Sequence, residues 1–157
     1  MGTPTTAFVH IEVVHPDPYA AAQFLKEVLG AEQVERGVSG YLEEFVPGAE
    51  VVHMKLGNVV LQLIKPSPAM ASWSDHLREH GPSVHNITVM VDGLRDVHRG
   101  MLDRGALHVF KAQTELSKAG FDVEDPQDLY MVDARNQTGL RFELVETVPA
   151  WTPGEAP

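Results

Sequence analysis

Apolar and polar residues alternate along several short segments of this chain, a pattern that predicts β-strands with two different faces. Residues 140–146 are predicted to form such a strand. One face carries the apolar side chains of Phe142 and Leu144, and the other carries Arg141, Glu143 and Val145. A strand that only covers a core rarely carries a carboxylate in the middle of its second face. Residues 8–15 alternate in the same way, with His10 and Glu12 opposite the apolar face.

Turn residues and the spacing of apolar residues predict the other elements. Helices are expected over 19–29, 73–80 and 94–104, and Gly30 and Gly105 end the two long ones. Further strands are expected over 31–38, 50–56, 59–64, 84–91, 106–111 and 129–134. The Gly57-Asn58 pair predicts a hairpin. The segment 39–48 fits either a helical turn or a strand edge, and residues 112–126 are expected to form a long loop.

Apolar positions also predict which side of each long helix is buried. For the first helix the buried stripe is expected to be Phe24, Leu25, Val28 and Leu29. For the second it is expected to be Leu94, Val97, Met101 and Leu102.

The order strand, helix, three strands occurs twice, and a shift of 76 residues places 10–14 over 86–90. Repetition of a whole unit predicts an α+β fold made of two tandem βαβββ modules, 8–66 and 84–147. A linker, 67–83, joins them into one domain, 8–147, and a flexible tail, 148–157, follows. Two curved half-sheets side by side would form an open half-barrel cleft, lined by one face of each strand.

Composition narrows the classes of function. The chain has 157 residues, 43% of them apolar, and 22 acidic against 12 basic residues give a formal net charge of -10. That charge disfavours binding to nucleic acids and to anionic membranes. No cysteine is present, which excludes disulfides and thiolate metal sites. With no signal or membrane-spanning segment visible, a cytoplasmic location is expected.

The paired βαβββ order resembles the vicinal oxygen chelate superfamily, which includes glyoxalase I, methylmalonyl-CoA epimerase, extradiol dioxygenases and bleomycin-resistance proteins. The pieces that carry the resemblance are 9–11, 56–63, 81–87 and 139–144, and they look most like the epimerase branch. That branch takes inward metal ligands from the first and last strands of each module. Carried over, these ligands are His10, Gln62, Asn86 and Glu143.

One of these positions departs from the branch. The epimerase branch usually reads His-His-Ile where this chain reads His85-Asn86-Ile87, so an asparagine stands at the ligand position. Strand alternation places Asn86 and Thr88 on the cleft side and His85 on the other. An iron-dependent dioxygenase needs two histidines and a carboxylate as iron ligands. Among the four ligand positions of this chain His10 is the one histidine, so a dioxygenase is disfavoured.

The resemblance implies a divalent metal ion, such as cobalt, nickel, zinc, manganese or magnesium, that stabilises an enolate-type intermediate as a Lewis acid. His10 and Glu143 are natural ligands, and the two amides can offer carbonyl oxygens. The asparagine at position 86 also leaves open a site without metal. The candidate groups for proton transfer are Glu12, Glu43 or Glu44, His53 and Glu143, and the candidate groups for substrate binding are Gln62, Asn86, Thr88 and Arg141.

The function expected first is that of an enzyme, an isomerase, epimerase or lyase acting on a small oxygenated substrate. Two alternatives stay open. One is a metal-free protein that sequesters an antibiotic or other natural product, and the other is a metal-free cyclase or isomerase of the same fold. In each case the partner is a small molecule, and a homodimer is expected because half-barrel modules leave sheet edges and apolar helix faces.

Overall fold

The computed structural model describes residues 6–34, 48–111 and 129–146. These residues form two compact units. The first unit comprises the described residues from Val9 to Asn86, and the second comprises those from Ile87 onwards together with residues 6–8. Three predicted segments lie outside the described residues: the ambiguous segment 39–47, the loop 112–126 and the tail 148–157. Glu43 and Glu44 belong to the first of these.

The first unit contains one strand, one helix, three strands and a further helix. They are β1 (Thr6–Val14), α1 (Pro18–Leu29), β2 (Glu32–Val34), β3 (Glu50–Leu56), β4 (Val59–Lys65) and α2 (Ala71–His80). Its strands lie in the order β2-β3-β4-β1, with β3 and β4 antiparallel and β1 parallel to β4. The predicted hairpin is confirmed, and Gly57 supplies the positive φ of 63° that its turn requires. Helix α2 lies within the predicted linker.

The second unit repeats this arrangement. It begins within β5 (Ser83–Val91) and continues with α3 (Leu94–Asp103), β6 (Leu107–Lys111), β7 (Leu129–Ala134), α4 (Arg135–Thr138) and β8 (Leu140–Glu146). Its strands lie in the order β6-β7-β8-β5, with β5 parallel to β8. The turn expected before β8 is a short helix, α4.

Strand register shows that the two units are built alike. In the first unit Glu12 of β1 lies opposite Gln62 of β4. In the second unit Thr88 of β5 lies opposite Glu143 of β8. Because Glu12 and Thr88 are 76 residues apart, the register reproduces the repeat seen in the sequence. The predicted α+β class and the two βαβββ halves are confirmed.

The buried side of α1 differs from the prediction. Phe24 and Val28 are each 61% exposed and Leu29 is 56% exposed. Of the predicted stripe, Leu25 does face the sheet. It packs beside Ala22 against the apolar residues of the sheet: Val13, Val52, Met54, Leu61 and Leu63. Small alanines let the helix backbone approach the sheet closely, which turns the larger apolar residues toward solvent.

The predicted face of α3 is confirmed. Leu94 is buried, and Val97, Met101 and Leu102 pack against the core of the second unit. The start of α3 is held by Glu146 at the end of β8, whose two carboxylate oxygens accept hydrogen bonds from the backbone N–H groups of Gly93 and Leu94, each at 2.9 Å. A carboxylate at a helix N-terminus satisfies free backbone donors and favours the helix dipole.

Among the residues that the structure describes, no helix has the length and apolar character needed to span a membrane.

We expect Glu146→Ala to lower the free energy of unfolding by about 1–2 kcal/mol, because two backbone N–H groups lose their acceptor. Glu146→Gln keeps one oxygen acceptor and is expected to lose less. Urea unfolding of both variants checks this expectation. The exposed carboxylate of Glu79 provides a control, since Glu79→Ala should change stability by less than about 0.5 kcal/mol. Equal stabilities of the parent and Glu146→Ala would contradict the capping role.

Candidate active site

The first unit buries polar side chains on the sheet face opposite α1. Strand alternation accounts for the polar residues of β1, β3 and β4, because Val13, Val52 and Leu63 face α1 while their strand neighbours face the other way. His85 and Asn86 are consecutive on β5 and join these residues through hydrogen bonds. The polar cluster, as we call this set, comprises His10, Glu12, His53, Gln62, His85 and Asn86, each at most 4% exposed. Buried polar groups are costly unless they are hydrogen-bonded, so their partners are informative.

Glu12 is fully buried, and each of its carboxylate oxygens accepts a hydrogen bond. The indole Nε1–H of Trp73 donates to Oε1, and the amide Nδ2 of Asn86 donates to Oε2 at 2.8 Å. Trp73 lies on α2, so this helix contributes directly to the polar cluster. The carboxylate thus links α2 and β5 to β1 within the first unit.

Burial raises the pKa of the Glu12 carboxyl to about 7, against its usual value of 4.5, while the hydrogen bonds from Asn86 and Trp73 act in the opposite direction. Desolvation is therefore the dominant cause. A carboxyl group with a pKa close to neutral can both take up and release a proton at physiological pH, which is the property required of a general acid–base group.

Asn86 uses both amide hydrogens within the cluster. Its Nδ2 donates to Glu12 and also lies 2.9 Å from Nδ1 of His85. Its carbonyl oxygen, Oδ1, is buried and has no hydrogen-bond partner among the described residues. That oxygen is therefore a buried acceptor suited to a bound metal or to a substrate donor.

Gln62 and His53 form a second pair. They lie directly opposite each other on β4 and β3. The Nε2 atoms of the two side chains are 3.0 Å apart. An amide nitrogen can only donate, so the imidazole accepts at Nε2 and a neutral His53 carries its proton on Nδ1. Within the described part of the chain, Oε1 of Gln62 is likewise a buried oxygen without a hydrogen-bond partner.

His10 lies beside this pair, with its ring centroid 5.9 Å from that of His53. Burial, together with the charge of a protonated His53, lowers the pKa of His10 from its usual 6.5 to about 3, while the side chain of Gln62 acts in the opposite direction. His10 is consequently neutral at physiological pH. Neutral imidazole is the form that coordinates a metal ion, so this shift suits the role that the resemblance assigns to His10.

In the second unit Glu143 is fully buried and accepts a hydrogen bond from the hydroxyl of Thr88 at 3.1 Å. Arg141 is 8% exposed and lies two residues before Glu143 on the same strand face. Nearby, Asp133 forms hydrogen bonds with Arg135, which hold the pKa of the Asp133 carboxyl below its usual value, and the charge of Arg141 adds to this effect.

The structure therefore gathers five of the predicted site residues in the first unit: His10, Glu12, His53, Gln62 and Asn86. It places Thr88, Arg141 and Glu143 in the second unit, and Glu44 lies outside the described residues. Trp73 and His85 were not predicted as parts of the site. A tryptophan at the start of a predicted helix was an available signal, because a buried indole N–H usually needs an acceptor.

Comparison with known proteins identifies the family. A model of the Glyoxalase/Bleomycin resistance protein/Dioxygenase superfamily matches residues 9–124. The chain belongs to this superfamily. The resemblance drawn from the sequence is thereby confirmed, and members of this superfamily usually bind a divalent metal. No curated protein matches the chain.

Solved structures share the fold at low sequence identity. A hypothetical protein from Bacillus halodurans C-125 is 11% identical, with a TM-score of 0.66 over 94% of this chain and 99% of that one. Methylmalonyl-CoA epimerase from Mycobacterium tuberculosis is 16% identical, with a TM-score of 0.62 over 90% and 88%. A methylmalonyl-CoA epimerase in complex with methylmalonyl-CoA and NH4+ is 17% identical, with a TM-score of 0.65 over 94% and 99%. Such identities establish a shared fold only.

The pKa of Glu12 predicts a pH-dependent stability. Between pH 4.5 and about 7 the folded protein binds more protons at Glu12 than the unfolded chain does, so Glu12 lowers stability as pH rises. His10 acts in the opposite direction, because its pKa is lowered from 6.5 to about 3. Between these pH values the unfolded chain binds more protons at His10, so stability rises with pH and partly offsets the contribution of Glu12.

Replacing one group separates the two contributions. Relative to the parent, we expect Glu12→Gln to gain stability progressively from pH 4.5 to pH 7, by up to about 3 kcal/mol. Urea unfolding of both metal-stripped proteins across this range provides the measurement. A difference in unfolding free energy that is independent of pH would show that Glu12 has an ordinary pKa in the folded protein.

Proposed function

We propose that this protein is an isomerase or epimerase that moves a proton on a small oxygenated substrate through an enolate-type intermediate. One observation carries the proposal: the first unit buries a carboxyl group with a pKa of about 7 in the same polar cluster as a neutral imidazole and two amide oxygens. Neither amide oxygen has a hydrogen-bond partner among the residues that the structure describes. The first group suits proton transfer, and the others suit binding of a cation or of a polar substrate.

A divalent metal fits the chemistry of these donors. His10 offers a neutral nitrogen, and Gln62 and Asn86 each bind a neighbour through the amide nitrogen, which leaves the carbonyl oxygen as donor. Oxygen-rich sets suit magnesium or manganese, and a single imidazole would hold zinc or nickel less tightly than two would. When bound, the ion would act as a Lewis acid that favours an enolate.

Glu12 is proposed as the acid–base group. In its ionised form the carboxylate can remove a proton from carbon next to a carbonyl, and in its protonated form it can return one. The indole of Trp73 and the amide of Asn86 fix both oxygens, so the carboxyl group does not reorient between the two steps. His53 is a further candidate, since Gln62 fixes its tautomer.

The second unit supplies the remaining proposed residues. The resemblance assigns Glu143 as the anionic metal ligand or as a catalytic group. Arg141 and Thr88 are proposed to bind the substrate, because a guanidinium recognises a carboxylate or phosphate through paired hydrogen bonds. A small acid, ketone or sugar-like molecule with adjacent oxygens is the substrate class that this set of groups suits.

Titration of metal-stripped protein with cobalt or nickel tests the metal assignment. We expect His10→Ala, which removes the nitrogen donor, to lower affinity at least about tenfold, or about 1.4 kcal/mol. Glu143→Gln should lower it by a similar factor, because the charge is lost while the shape is kept. Asn86→His should tighten binding. His108→Ala, which removes an exposed histidine of the second unit, is the matched control.

Absence of binding by the parent at millimolar metal would refute the metal assignment. The observations that Asn86 replaces a histidine and that Glu12 has a raised pKa favour a metal-free isomerase or cyclase as the second candidate. In that case turnover would survive chelation and be lost in Glu12→Gln. Ligand binding without turnover would instead indicate a sequestering protein.

We also propose that the protein forms a homodimer. The exposed apolar side chains of α1, including Phe24 and Val28, offer surface that favours association. Light scattering at micromolar concentrations should give twice the 17.2 kDa mass of the chain. Replacing Phe24 by serine should weaken the association if α1 takes part. A monomer mass for the parent throughout this range would contradict the proposal.

A further inference from the structure

Helix α2 places two side chains against the neighbouring residues His85 and Asn86. Trp73 stacks on the imidazole of His85, with ring centroids 4.7 Å apart and an interplanar angle of 12°. The hydroxyl oxygen of Ser72 lies 2.9 Å from Nε2 of the same imidazole. His85 is 2% exposed. The indole of Trp73 covers one face of its ring, and the hydroxyl of Ser72 contacts Nε2.

The hydrogen bonds around His85 determine its tautomer. The amide nitrogen of Asn86 lies 2.9 Å from Nδ1 of His85 and can only donate, so Nδ1 accepts. In the neutral ring the proton is then on Nε2, which donates it to the hydroxyl oxygen of Ser72. A continuous chain of hydrogen bonds runs from Ser72 through His85 and Asn86 to Glu12.

This chain allows one orientation of the Asn86 amide. Rotating the amide by half a turn would place Oδ1 against Nδ1 of His85 and against Oε2 of Glu12, at the 2.9 and 2.8 Å now spanned by hydrogen bonds. The ionised Glu12 carboxylate can only accept, so its contact with Oδ1 would replace a hydrogen bond by a contact between two acceptors in a fully buried position. Loss of buried hydrogen bonds is costly, so Oδ1 is held away from both groups.

We propose that His85 is a positioning residue, which with Ser72 and Trp73 fixes the Asn86 amide so that its Oδ1 is presented as a ligand or acceptor at the active site. This inference rests on the proposed function, in which Asn86 contributes that oxygen. In this protein an asparagine, Asn86, occupies the ligand position and His85 directly precedes it. The imidazole of His85 does not bind the ligand itself but orients the Asn86 amide. Groups behind the ligands commonly orient them in this way.

Three variants separate orientation from packing. His85→Phe keeps an aromatic ring for Trp73 to stack on but removes the acceptor. His85→Gln restores an acceptor oxygen and should rescue in part. Ser72→Ala removes the hydroxyl oxygen that accepts the Nε2 hydrogen of His85. Ser74→Ala is the matched control, because Ser74 lies on the same helix and also forms one hydrogen bond, to the carbonyl of Ser67, without contact to the chain described above.

The first readout needs no metal. In the metal-stripped parent, the side-chain NH2 group of Asn86 should exchange its hydrogens slowly by 15N NMR. His85→Phe should accelerate that exchange roughly fivefold or more, because one of its two hydrogen bonds is lost. Ser72→Ala should have a smaller effect, and Ser74→Ala should have none. Unchanged exchange in His85→Phe would overturn the positioning role.

The second readout is the affinity for manganese or cobalt. His85→Phe should bind the metal about tenfold more weakly than the parent, with recovery in His85→Gln, as expected for a group that orients a ligand. A parent that binds metal and a His85→Phe variant that binds it equally well would overturn this inference while leaving the proposed function intact. A parent that binds no metal would instead overturn the metal assignment, and the exchange measurement would still decide the orientation.

Discussion

The burial of the Glu12 carboxyl group is the constraint on which the first unit depends. An ionised carboxylate placed in the interior without partners would cost several kcal/mol. Here β1 carries it at a fully buried position, and two N–H donors reach it from α2 and β5. Helix α2 must therefore dock where the indole of Trp73 can donate. That docking in turn fixes His85 and the Asn86 amide.

The two units share one strand plan but place their carboxylates differently. In the first unit the carboxylate, Glu12, is on the first strand and the amide opposite it, Gln62, is on the last. In the second unit the carboxylate, Glu143, is on the last strand, opposite the hydroxyl of Thr88. The repeat thus preserves backbone register while the side chains diverge. The buried carboxylate therefore faces an amide in the first unit and a hydroxyl in the second.

The asparagine at position 86 changes the balance of donors in the cluster. A histidine there would offer a second imidazole nitrogen, whereas the amide offers a carbonyl oxygen and two N–H donors. Glu12 and His85 accept hydrogen bonds from those donors, and within the described ranges the carbonyl oxygen has no hydrogen-bond partner. The Asn86 amide therefore connects the proposed ligand oxygen to Glu12, the proposed acid–base group, because its nitrogen donates to that carboxylate.

The sequence by itself determined the order of strands and helices along the chain, the repeat, and which residues share a face of β1, β4 and β8, because alternation and turn residues act locally. It also indicated His10, Gln62, Asn86 and Glu143 through the family resemblance. Only the tertiary structure decided which side of α1 is buried, since that depends on how closely the helix approaches the sheet. It alone brought Trp73 to Glu12, which lies 61 residues earlier, and turned His85 into a partner of Asn86. Hydrogen bonds of that range depend on packing, which no local pattern encodes.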